Sequence, residues 1–142
     1  MPKVRTPRVT SITDLVRPME RLAAFHLVEH GIPARLAAGA AARFGISKER
    51  LVEVLGISRP TLNRLEREGG SFDVVTGDVF KDVVVVLDKA LAMLGHNKQA
   101  LGEWLREPVP ALGRAPIDLL KTKDGRELVS NLLDRAYSGA YS

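Results

Sequence analysis

Residues 47–70 read SKERLVEVLGISRPTLNRLEREGG. Two short helical patterns flank a single glycine. Ser47 has an N-capping side chain, although Arg50, in the third position after it, does not complete a capping box. KERLVEVL follows, and Gly56 ends it. Ser58 caps a second helix, RPTLNRLERE, in which Pro60 lies in the first turn and forfeits no helical hydrogen bond. Gly69 and Gly70 stop that helix. Helix, glycine, short turn, helix is the arrangement of a DNA-reading helix-turn-helix. Leu51 and Leu55 supply the face of the first helix that meets the second. Gly56 takes the turn position that needs φ > 0, and Ile57 is the apolar residue buried after it. Leu62 and Leu65 form the inner ridge of the second helix. Arg59, Thr61, Asn63, Arg64 and Arg67 then point outward, and with Ser58 they are the candidate DNA contacts. Arginine pairs with guanine and asparagine with adenine in the major groove, and either holds phosphate. Val52 departs from the pattern, since a small residue there lets the two helices approach closely. An ordinary helical hairpin is the competing reading.

The charge distribution favours a polyanion near this motif. The net charge is +4 over 142 residues. Residues 1–70 carry twelve Lys/Arg against seven Asp/Glu, whereas residues 71–142 carry nine against ten. A basic half joined to a near-neutral half points to nucleic-acid contact by the first half, with chance asymmetry on a solvated surface as the alternative. There is no cysteine, which excludes disulfides and thiolate metal sites and fits a reducing cytoplasm. No apolar run reaches the ~20 residues that span a bilayer. The opening MPKVRTPRVTSITDL lacks the apolar core of a signal peptide and reads as a flexible basic arm.

Outside the motif, strand signals are scarce and helical spacing recurs, so the fold class is all-α. Leu15, Val16, Met19, Leu22, Ala23 and Leu27 repeat at three- and four-residue intervals, as either a homodimer seam or core. An Ala-rich helix spans 34–44. Residues 72–94 are ambiguous, because Val83 to Val86 suit a buried strand. Val79, Val83, Val86, Leu87, Ala90 and Leu94 also form a helical stripe, and with no partner strand in view a helix over 76–94 is expected. Asn97 caps another helix, 107–116 is a loop, 118–120 a helical turn, and a last helix runs to about Tyr137. The expected organisation is an arm over 1–18, a helix-turn-helix domain over 19–75 and a second helical domain over 76–142.

Catalytic chemistry is missing from the pattern. There is no P-loop, no GxGxxG and no cysteine nucleophile. His26 and His30 lie four apart, as zinc-binding pairs do, but no third ligand accompanies them. The chain reads as a non-enzyme without a cofactor or metal. Trp104, the single tryptophan, is either an interface anchor or a core residue. The two tyrosines, Tyr137 and Tyr141, stand in the last six residues.

The final fifty residues resemble the toxin-binding domain of Xre/MbcA/ParS-type antitoxins. The resemblance rests on Leu94-Gly95, Trp104-Leu105, Pro108, Leu112-Gly113, the run Pro116-Ile117-Asp118-Leu119-Leu120, Gly125, Val129, Leu132, and Gly139 followed at one remove by Tyr141. The helix-turn-helix sits where that family carries its Xre-like domain, so the resemblance covers roughly 30–142. It departs at GDVFKDVVVVL, where relatives carry arginine-containing helices. The resemblance implies a cytoplasmic bacterial antitoxin of a type II system. Its partner would be a RES-domain toxin that consumes NAD, or a related ADP-ribosyltransferase-like toxin. It also implies repression of the operon's own promoter. The toxin-binding residues so implied are Trp104, Arg114, Asp118, Arg135, Tyr137, Gly139, Tyr141 and Ser142. Tyr141 would stack where a nicotinamide or adenine ring lies, and the Ser142 carboxylate would take the place of a phosphate; the competing reading is a frayed end whose Tyr137 packs on the last helix. Asp118 is otherwise read as capping or bracing the loop at Pro116. Two other readings stand beside this one: a transcription regulator whose second domain binds something else, and a pure inhibitor whose helix-turn-helix is vestigial.

Overall fold

The computed structural model describes residues 9–139, with side chains to Ala136. The helices are α1 (Ile12–Val16), α2 (Arg21–His30), α3 (Leu36–Phe44), α4 (Lys48–Leu55), α5 (Arg59–Arg67), α6 (Val74–Met93), α7 (Lys98–Arg106), α8 (Pro116–Leu119) and α9 (Lys123–Gly139). Among the described residues the only extended pairings are two isolated bridges, Pro33 with Ser71 and Val109 with Arg114. The all-α expectation holds.

The ambiguous valine run is helical. Helix α6 lies at the centre of the molecule and packs against α1, α2, α3, α4, α7 and α9. Phe80, Val83, Val84, Val86, Leu87, Ala90 and Leu91 are all buried along it. A helix enclosed on several sides needs a broad apolar surface, so consecutive valines suit it as well as they suit a strand. Burial then outweighs the modest helix penalty of β-branched residues. The helix begins at Val74, capped by Asp73, whose Oδ1 accepts the Thr76 backbone N–H at 2.7 Å.

The stripe from Leu15 to Leu27 divides into two helices. Arg17, next to Pro18, is extended at φ −64°, ψ 133°, as residues before proline tend to be. Ile12, Leu15, Leu27 and Val28 enter the core. The expected flexible arm over 1–18 is therefore corrected at its far end: α1 is docked on α3 and α6, held by two buried aliphatic side chains. Asp14 Oδ2 braces its start, accepting the Thr10 and Ser11 backbone N–H groups at 2.9 and 3.2 Å. Residues 1–8 lie outside the described residues.

One continuous apolar core joins the first helices to the last, from Ile12 and Leu15 through Phe44, Leu62 and Phe80 to Val129 and Leu133. The N-terminal and C-terminal halves also meet through backbone. A Cβ on Gly102 of α7 would come within 2.9 Å of the Gly45 carbonyl oxygen, and one on Gly45 within 2.7 Å of the Lys98 carbonyl oxygen. Gly45 ends α3 at φ +67°, so it answers to conformation and to crowding alike.

Candidate DNA-binding surface and C-terminal module

Helices α4 and α5 pack together as the motif requires. Ser47 Oγ accepts the Arg50 N–H at 3.1 Å, and Ser58 Oγ accepts the Thr61 N–H at 3.2 Å. Between them Gly56 adopts φ +73°, ψ +25°. A Cβ there would meet nothing within 4 Å, so the turn demands glycine for its backbone angle alone. Leu51, Leu55 and Leu62 are buried, with Ile57 and Leu65 partly so. Val52 is also buried, and its carbonyl accepts the Ile57 N–H at 3.2 Å, so the turn tolerates a valine there.

Of the candidate DNA contacts, Ser58, Asn63, Arg64 and Arg67 are exposed, while Arg59 and Thr61 are half-buried. Thr61 Oγ1 lies 2.8 Å from Ser58 Oγ. All the motif's cations but Arg67 are paired within the motif itself. Arg59 Nη1 donates to Glu49 at 2.9 Å, and its Nε donates to Asn63 Oδ1 at 3.1 Å. Arg64 stands 3.7 Å from Glu68, and Arg50 is 3.3 Å from Glu53. Lys48 reaches both Glu66 oxygens at 3.0 Å, tying the start of α4 to the end of α5. Arg67 forms no ion pair among the described residues. The Arg59–Glu49 pair was not legible beforehand, because ten residues and a turn separate its members. Arg64 with Glu68, four apart, and Arg50 with Glu53, three apart, do carry a sequence signal.

The C-terminal module is α7 to α9, packed on α6. Trp104 is half-buried against the core, intermediate between the anchor and core readings. The loop after α7 closes with the Val109 N–H on the Arg114 carbonyl at 3.1 Å. Arg114 and Asp118, both candidates, stand 3.9 Å apart on either side of Pro116; α8 has no side-chain cap, its N-cap being Ala115. Arg135 is exposed on α9 and is not brought to either of them by an ion pair or hydrogen bond among the described residues. Tyr137 and Gly139 fall in the last turns of α9, where side chains are not described; Tyr141 and Ser142 lie outside the described residues.

Helix α9 is fastened to α6 at two points that sequence reasoning missed. Buried Arg126 donates through Nε to Asp82 at 2.6 Å and through Nη1 to the Leu120 carbonyl at 3.0 Å. Lys89 donates to Ser130 and Asp134 at 2.9 and 2.8 Å. Each pair is more than forty residues apart, and no local spacing signals it.

A third surface lies between α2 and the start of α6. Leu22, Phe25, Val74 and Val75 are exposed, Val75 by 76%. Phe25, Val74 and Val75 line a groove of about 770 Å³ rimmed by Arg21, Lys81, Asp78 and Asp82. His26 packs edge-on to Phe25 at 5.6 Å. No helix of the described residues is long and apolar enough to cross a membrane.

Fold and surfaces together define an all-helical protein with a helix-turn-helix unit followed by a helical C-terminal module on the same core. Residues 23–79 match the antitoxin Xre-like helix-turn-helix domain, and residues 89–139 match the antitoxin Xre/MbcA/ParS C-terminal toxin-binding domain. The chain belongs to the Xre/MbcA/ParS antitoxin family. Among curated relatives, "Antitoxin Xre" of Yersinia enterocolitica is 30% identical over 98 residues, 68% of this chain and 66% of that protein. "Prs ADP-ribosylating antitoxin" of a Sphingobium species is 51% identical over 43 residues, 30% of this chain and 27% of that protein. The chain spans less than two thirds of the length of either.

Proposed function

We propose that this antitoxin binds and inhibits a RES-type toxin, a bacterial cytoplasmic enzyme that consumes NAD or transfers ADP-ribose from it, and represses its own operon. The carrying observation is the match of residues 89–139 to a toxin-binding domain, on a chain whose residues 23–79 match a helix-turn-helix. The name of the Sphingobium relative supports the ADP-ribose chemistry. Inhibition is by occupancy, without catalysis. Trp104 and the Arg114–Asp118 loop make the first contact. Arg135, Tyr137 and Gly139 continue the surface, and Tyr141 with Ser142 enters the toxin's cleft.

Operator binding runs through Ser58, Arg59, Thr61, Asn63, Arg64 and Arg67. One motif reads a half-site, so the reading requires a homodimer. Its seam is the groove of Phe25, Val74 and Val75, with Leu22 exposed on the same helix as Phe25, because Leu15 and Leu27 are spent in the core. The rim suits a two-fold interface, in which Arg21 and Lys81 of one copy face Asp78 and Asp82 of the other. A pure inhibitor is the second reading, favoured by the ion pairs that occupy Arg59 and Arg64 of α5.

The test is co-expression with the product of the adjacent gene, followed by pulldown and growth. Co-purification and rescue of growth are expected, and deletion of 139–142 is expected to keep association but lose most rescue. A chain that neither co-purifies nor protects overturns the reading. Full protection by the deletion, at equal protein level, moves inhibition elsewhere on the module.

A further inference from the structure

We infer that Glu49 and Glu68 act as a brake on DNA binding, holding the base-reading arginines of α5 away from the duplex; this rests on the DNA-binding reading above. A guanidinium reads guanine through two adjacent N–H donors, along its side edge (Nε with one Nη) or its outer edge (both Nη). On Arg59 the side edge loses Nε to Asn63 Oδ1 at 3.1 Å, and Nη1 gives one of its two N–H groups to Glu49 at 2.9 Å. The side edge is closed to a bidentate contact, and the guanidinium is held toward Glu49, while both bonds stand. The same contact occupies the Asn63 oxygen, which an adenine would need as acceptor. Arg64 is drawn toward Glu68 at 3.7 Å.

The brake is releasable. Glu49 is 71% exposed and Glu68 56%, so neither pair is sealed from water. Exposed ion pairs contribute little net free energy, and a phosphate can compete for such arginines. Release does not remove the carboxylates, however. They stay beside the phosphodiester backbone as like charges and offset the counterion release that drives association. Glu66 differs: it and Lys48 are about three quarters buried, and their pair fastens α4 to α5 rather than restraining a reading group.

The inference predicts that removing negative charge at these two positions tightens binding. The full chain, wild type and carrying Glu49→Gln with Glu68→Gln, is titrated into the operon's promoter duplex and into a scrambled duplex of equal length. Salt is varied from ~50 to ~200 mM, the range over which phosphate contacts are most visible. Glu127→Gln on α9, exposed and in no ion pair among the described residues, makes one charge change away from the motif. At ~100 mM salt the double variant should bind the promoter at least ~10-fold tighter, with a steeper salt slope, while Glu127→Gln stays within ~2-fold. Wild type that binds while the double variant gains nothing, or weakens, overturns the brake and makes Glu49 a buttress that orients Arg59. No binding by any protein to either duplex, even at low salt and with helical content intact by circular dichroism, overturns the DNA-binding reading itself.

Discussion

Gly125 shows how much a single missing side chain carries. A Cβ at this position would lie 1.8 Å from the Leu119 carbonyl oxygen, on backbone that cannot swing aside. Start of α9 and end of α8 are in van der Waals contact only because residue 125 has no side chain. Gly125→Ala should therefore cost at least ~3 kcal/mol, the upper range of overpacking penalties. Thermal unfolding checks it, and a melting temperature within a degree of wild type would contradict the packing. The glycine itself was visible in the sequence as part of the family pattern, but its reason, a carbonyl six residues back, was not. The opposite holds for α5. The outward placement of Asn63, Arg64 and Arg67 followed from the inward placement of Leu62, yet their electrostatic partners came from folding. Replacing Arg59 and Arg64 together with alanine should weaken promoter binding by ~1–3 kcal/mol for each that reads a base, and flatten the salt slope. Gel shift or anisotropy at fixed salt measures it, and an unchanged affinity would remove these residues from the interface.

At the scale of elements, caps were the most legible feature. Ser47, Ser58 and Asn97 all accept the N–H three residues on, as their side chains and positions announced. Asp73 does the same for α6, a helix expected to begin only at 76. Its carboxyl is held below the usual carboxylate range by the Thr76 backbone N–H and then by the Thr76 hydroxyl. A lowered folded value means that the charged cap stabilises fully above the ordinary aspartate range, and that this share is lost as the pH falls through the lowered value. Asp73→Ala should cost ~1 kcal/mol at neutral pH, typical of a lost cap. The deficit should shrink in acid, where wild type loses the same charge. Urea midpoints at pH 7 and pH 3 test this, and a constant gap would mean that the charge contributes nothing. The break at Pro18 was harder to foresee, because apolar spacing carried straight through it. The spacing recorded which residues enter the core, not whether one helix delivers them.

Over the whole molecule, composition and periodicity yielded the class and the order of units, because each rests on local pattern. What they could not yield was how α1, α6 and α9 come together, since that depends on pairs such as Arg126 with Asp82. The exposed groove is likewise a property of assembly: Phe25 and Val75 are fifty residues apart and become neighbours only when α2 lies along α6. Phe25→Asp with Val75→Asp should leave the fold intact, since both side chains face solvent, and should convert a dimer to a monomer. Light scattering at tens of micromolar decides it, and a wild type that is already monomeric would retire the groove as a seam.

The contact between Gly45 and Gly102 bears on how such chains can be recombined. The stretch 80–88, between the two matched domains, is the buried middle of α6, so no linker separates them where a splice might fall harmlessly. A graft that takes its N-terminal half from one relative and its C-terminal half from another must inherit a fitting pair at these two backbone positions, as well as a matching central helix. On the function proposed above, specificities for operator and for toxin travel as a joint inheritance, exchangeable only between parents whose junctions already fit.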